Sequence, residues 1–344
     1  MKKVIFISAL AIAAAASCTK SDIVDTKFNE QISFESYIGR DAMTKGDIVE
    51  KDDLTGATVY GYYTGEDEWK PTTNANLWTA GLNLVINKGV VADLNESDVR
   101  YWANATDQYT FLAYAPINNS NLAKPTSTAN PTLVYSVDPT EDFSKHVDVL
   151  RAEPIIDETK NSLSGTVNLV FKHTLSRITV KAKVDKDTPF DFHIKSITLK
   201  GTFNTAGTLA LAETDGWDVT EETENATFTF YSNDADPNVE NSGAVALGTS
   251  YTDYCEDFDQ GHMMIIPTEF SASKKAILEV VYTTNFASVE SRPYSVKHEI
   301  TTPYLIGTAY TYNLDFYQAE NNDIKFTVDV TPWDTADDVT TQIK

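Results

Sequence analysis

The chain has 344 residues, 42% of them apolar, 11% aromatic and 22% charged, with 50 acidic against 27 basic side chains and a formal net charge of −23. That balance excludes nucleic acid and anionic lipid headgroups as binding partners, because a phosphate-binding surface must replace counterions with cations of its own. Five histidines and two cysteines argue against an all-protein zinc site or a disulfide framework, and neither a metal nor a cofactor is expected.

Met1-Lys2-Lys3 precede an apolar stretch from Val4 to Ala16. Two cations and then ~13 apolar residues read as a secretory signal peptide, too short to span a bilayer as a mature helix. Its end, Ala14-Ala15-Ala16-Ser17-Cys18, resembles a bacterial lipobox. The resemblance implies removal of residues 1–17 and lipidation of Cys18, and two or more acyl chains anchor a protein durably. The alternative is an ordinary signal peptide with a chance cysteine. With Cys18 lipidated, Cys255 is the remaining thiol and no intramolecular disulfide can form. Glu256, Asp257 and Asp259 lie beside it and raise a thiol pKa, which makes it a poor nucleophile.

After a polar tether from Thr19 to Thr26, residues 31–38 alternate, with Ile32, Phe34 and Ile38 on one face and Gln31, Glu35 and Tyr37 on the other. Period-2 alternation predicts a half-buried strand. A polar loop with two basic residues, Arg40 and Lys45, follows it. Further strands are predicted over 57–63, 82–86, 108–114, 167–171, 178–184, 193–199, 276–282 and 309–314. The last, over 324–331, is closed by Pro332-Trp333 and followed by an acidic, Thr-rich tail to Lys344. Thr, Val, Ile, Tyr and Phe dominate these runs, as a pleated surface favours. Many short strands without helical crossovers predict an all-β protein of antiparallel sandwiches. About 300 such residues exceed one sandwich, so two are expected, with a junction near 159–165.

His173 sits on a predicted strand and reads as a hydrogen-bonded structural residue. His262 precedes Met263-Met264 without a second ligand at metal spacing. Trp78, Trp102 and Trp217 would suit a sugar-stacking platform, but a core or a sandwich edge is the expected place for each. Asp234 to Glu240 places oxygens at alternate positions, yet lacks the glycine and glutamate of an EF-hand loop. No Gly-x-Ser-x-Gly, Walker, His-Glu-x-x-His or Gly-x-Gly-x-x-Gly motif occurs, so no catalytic residue is assigned and the chain is not expected to be an enzyme.

The chain resembles the fimbrillin-type (type V pilin) lipoproteins of Bacteroidales, the group called Mfa-like or fimbrillin-like. The likeness rests on the lipobox at Cys18, the Ile32-Ser33-Phe34 strand followed by Met43-Thr44-Lys45-Gly46, and Val59-Tyr60-Gly61-Tyr62-Tyr63. It continues through Tyr101-Trp102, Tyr109 to Pro116, Val170 to Arg177, Met263 to Pro267 and the closing strand with Pro332-Trp333. The resemblance implies two transthyretin-like antiparallel β-sandwich domains. It divides the chain into signal peptide (1–17), lipidated tether with a removable first strand (18–45), N-terminal sandwich (46–163) and C-terminal sandwich with closing strand and tail (164–344). It also implies a surface-exposed outer-membrane lipoprotein, cut after Arg40 or Lys45 by a trypsin-like protease, or left uncut as an anchor. Release of the plug formed by Ile32, Phe34 and Ile38 would open a groove for the strand of another fimbrial subunit. A non-polymerising lipoprotein that binds glycans or host surface ligands is the alternative, and it would show exposed tryptophan clusters. A glycosidase with paired carboxylates is a third reading that no residue demands.

Overall fold

The structure is a computed structural model that describes residues 30–38, 54–72, 75–87, 89–117, 119, 122–125, 129–185, 188–233, 245–255, 261–286, 289–291, 293–317 and 324–333. It is all-β. Among the described residues the helical content is one 3-10 turn, Phe143–Lys145, and no helix is long and apolar enough to cross a membrane. The main strands are β1 (Ser33–Ile38), β2 (Gly56–Gly65), β3 (Leu82–Asn87), β4 (Gln108–Ala115), β5 (Thr132–Ser136), β6 (Leu150–Ala152) and β7 (Thr166–His173). They continue as β8 (Ser176–Val184), β9 (Asp191–Ala210), β10 (Asp218–Ser232), β11 (Ala276–Phe286), β12 (Tyr294–Ile300), β13 (Thr308–Phe316) and β14 (Ile324–Pro332).

Three sheets form. The first runs β1-β7-β6-β4-β2-β3 and ends on Val90–Val91. In the second, β8, β13 and β14 lie side by side, with Thr252–Asp253 and Met263–Ile265 on the far edge of β8. The third is organised by β9, which is 20 residues long. Its one edge carries β10, and its other edge carries β11 and then β5. The handover falls at Gly201, where a Cβ would stand 2.3 Å from the Lys275 carbonyl oxygen. Only glycine lets the end of β11 come so near.

Most ladders are antiparallel, as expected, but β1–β7 and β8–β13 are parallel. Parallel partners need long crossovers. Here the intervening chain forms further strands, β2 to β6 between the first pair and β9 to β12 of the third sheet between the second, instead of a crossover helix, so no helical pattern announces these pairs. The sheets also interleave around residue 163: β5 lies in the third sheet and β7 in the first.

Two hydrophobic cores result. The smaller fills the inner side of the first sheet with Ile32, Phe34, Ile38, Val59, Trp78, Leu84, Trp102, Phe111, Val167, Leu169 and Phe171. The larger lies between the second and third sheets and also takes up Tyr60, Tyr62, Leu112 and Tyr114. Strands β2 and β4 therefore feed both cores, one from each face. This accounts for sequences that read as nearly continuous apolar and aromatic runs rather than alternating ones.

Candidate functional site

The first strand is seated differently from the others. Its inward residues Ile32, Phe34, Ser36 and Ile38 are 0%, 7%, 2% and 6% exposed, while Ser33 and Glu35 face solvent. Alternation of side chains along an extended backbone puts all four on one face. Ile32, Phe34 and Ile38 are the three residues expected to plug a groove. Ser36 was missed, although the same spacing of two points to it.

Each inward position meets a different wall. Phe34 packs 6.0 Å from Trp78 and edge-on to Phe111 at 5.9 Å. The Ser36 hydroxyl donates to the Gly89 carbonyl oxygen at 3.2 Å. Ile38 closes the row at a cleft that it shares with Leu54, Leu150 and Trp333. Burying each of the three apolar side chains contributes about 1.5–3 kcal/mol.

The backbone of β1 is held mainly on one side. Its ladder with β7 runs from Ser33 opposite Thr166 to Ile38 opposite Phe171. The neighbouring turns add the Ile32 amide donating to the Arg100 carbonyl at 2.9 Å and the Trp102 amide donating to the Glu30 carbonyl at 3.1 Å. Glu30 also forms an ion pair with Lys160. An edge strand with apolar side chains in a slot is the arrangement by which one strand can substitute for another.

The cleft at the Ile38 end has a volume of about 500 Å³ and brings together His146, His173, His262, Arg177 and Trp333. His173 Nδ1 lies 2.9 Å from Asp148 Oδ1, and its ring stacks on Trp333. The Arg177 guanidinium carbon lies 4.6 Å from the centre of the same indole. His146 Nδ1 accepts the Met264 amide at 3.0 Å, and burial pushes its pKa down to about 4, so the ring is neutral with its proton on Nε2. His262 Nδ1 lies 3.2 Å from the Thr179 hydroxyl. These are packed, hydrogen-bonded side chains that tie β7, β8 and the end of β14 together. Among the described residues no group of three His, Cys, Asp or Glu side chains is arranged to hold a metal ion.

The remaining sequence candidates fall as follows. Trp78 and Trp102 are buried at 5% and 1% exposure. Trp217 is half-buried and donates its indole N–H to the Thr174 carbonyl at 2.7 Å. Trp69 is half-buried and Trp333 buried, so no tryptophan offers an exposed stacking platform. Cys255 is fully buried. Cys18, Arg40, Lys45, the segment Asp234 to Glu240 and the tail after Trp333 lie outside the described residues.

A family model described as fimbrillin-like matches residues 43–333. No curated protein matches the sequence. Among solved structures, a fimbrial protein from Bacteroides vulgatus is 18% identical, with a TM-score of 0.64 over 89% of this chain and 100% of its own. A candidate cell adhesion protein from Bacteroides ovatus is 14% identical, with a TM-score of 0.51 over 89% of this chain and 98% of its own. At these identities the likeness is one of fold.

Proposed function

The chain belongs to the fimbrillin-like family, and from that premise we propose that it is a non-enzymatic, cell-surface fimbrial subunit with a structural or adhesive role. In this reading the precursor is held on the outer membrane through lipid at Cys18. A protease cuts after Arg40 or Lys45, β1 leaves with the anchor, and the strand of another fimbrial subunit takes its place. The observation that carries the reading is the seating of β1: its inward Phe34, Ser36 and Ile38, with Ile32 just before them, are at most 7% exposed, and among the described residues its ladder is with β7. Loss of such a strand leaves an apolar slot and unpaired backbone groups, which is a strong incentive for strand addition.

The alternative, a glycan-binding lipoprotein that never polymerises, draws no support from the tryptophans, all five of which are buried or half-buried. Intact mass of the chain recovered from the cell surface tests the proposal. Material in high-molecular-weight, detergent-resistant species that begins just after Arg40 or Lys45 is the expected result. A chain that retains lipidated Cys18 and β1 in every fraction would contradict it.

A further inference from the structure

Lys274, Asn204 and Glu222 meet at one place on the third sheet. The Lys274 ammonium donates to Asn204 Oδ1 at 2.9 Å and forms an ion pair with Glu222. Asn204 is 6% exposed, and its side-chain N–H donates to the Pro267 carbonyl oxygen. The Asn204 carboxamide is thus held from both ends, with its carbonyl group against a lysine. Glu222 stands directly opposite Asn204 in the β9–β10 ladder. Lys274 is fixed by a tight turn, its carbonyl accepting the Ser271 amide at 2.7 Å.

The local backbone sets this group apart from an ordinary surface ion pair. Register shifts flank Asn204 on both sides, and Phe203, Asn204 and Thr205 are all buried where a regular strand would alternate. Bulges re-aim side chains in this way. The ladder of β9 with β11 ends at Gly201, and its ladder with β5 begins at Ala206. Asn204 therefore falls in the interval between the two partners, and Lys274 reaches it from the turn that leads into β11.

We propose that Lys274 and Asn204 join in an intramolecular isopeptide bond, with Glu222 relaying the protons. Glu222 takes a proton from the Lys274 ammonium and leaves a free amine. The amine attacks Asn204 Cγ, which lies one bond of about 1.2 Å beyond Oδ1. Glu222 passes its proton to Nδ2 and accepts a second one from Nζ. The Nζ–Cγ bond forms, the Cγ–Nδ2 bond breaks, and ammonia leaves and takes up that second proton in water. Glu222 ends as the carboxylate it began as, and each chain reacts once. Contact between the reacting groups replaces a bimolecular encounter, and burial of Asn204 limits competing attack by water. The bond closes a loop of about 70 residues and ties the entry of β11 to β9, which constrains the unfolded chain.

The test is intact mass of the purified, folded chain from residue 18 onward, read at intervals at neutral pH. The expected result is loss of one ammonia, about 17 Da. Cyclisation of an asparagine elsewhere loses the same mass, so the linkage is located after cleavage at glutamates. Glu213 and Glu269 lie between the two residues, and the fragment with Asn204 stays attached to the fragment with Lys274. Lys274→Arg keeps the charge and Glu222→Gln keeps the shape, and both chains retain full mass. A folded parent chain that keeps its full mass for days, or that loses ammonia while the two fragments separate, would overturn the proposal. Linkage in Glu222→Gln at the parent's rate would overturn the role given to Glu222. None of these readouts depends on β1 leaving, so strand exchange is tested separately.

Discussion

Trp333 lies flat against His173, with ring centroids 3.9 Å apart and 6° between the planes. The contact fastens the end of β14 to β7, the strand on which β1 is laid. The Trp333 amide also donates to the Gly307 carbonyl at 2.7 Å. The closing residue of the second sheet and the strand beside β1 are therefore one packed unit, completed by Arg177 above the same indole.

Replacing Trp333 with Ala removes a side chain that is only 9% exposed together with both ring contacts. The expected loss is about 3–5 kcal/mol, as for other buried aromatic truncations. Phe at the same place retains stacking and recovers part of it. Urea unfolding of the two variants beside the parent chain measures the difference.

Phe34→Ala destabilises by about 3–5 kcal/mol through the void left between Trp78 and Phe111. Its effect is concentrated on β1, whose amides lose hydrogen-exchange protection before those of β2 or β4. Glu35→Ala, on the solvent face of the same strand, stays within about 0.5 kcal/mol of the parent. Equal loss of protection across the first sheet would show that β1 does not open separately.

Acidification acts on His146. Its folded pKa is about 4 against 6.5 for the free side chain, so between those values the unfolded state binds the proton and the folded state does not. Stability supplied by the neutral ring is complete above 6.5 and falls as the pH drops toward 4, by on the order of 1–3 kcal/mol. His146→Gln removes that component. Urea midpoints at pH 7 and pH 4.5 differ less in the variant than in the parent, and an unchanged difference would contradict the assignment.

Much of the fold is legible in the sequence because burial imposes a rhythm. Strand β1 alternates cleanly over one buried face, and β14, whose sequence alternates without its burial doing so, is a strand through its ladder with β13. The strands over 57–63, 108–114 and 167–171 were readable from β-branched and aromatic content alone. Strand β10 was not, since Asp218-Val219-Thr220-Glu221-Glu222-Thr223-Glu224-Asn225 is mostly exposed and is a strand only because β9 offers a backbone edge. Strand β12 lies at a sheet edge for the same reason. At the first strand, the buried face of Ile32, Phe34 and Ile38 was visible as a pattern of spacing two. Ser36 was hidden because a serine carries no hydrophobic signal, and Trp333 showed only as a strand terminator, because its contact with His173 joins residues far apart in the chain.

The most direct measurement is limited digestion of the purified chain from residue 18 onward with an Arg/Lys-specific protease, followed by intact mass at short times. The first cut is expected after Arg40 or Lys45, leaving a resistant remainder that starts beyond the cut and contains β2 to β14. A first cut elsewhere, or a cut there that lets the whole remainder be degraded, would show that β1 is not a separable plug.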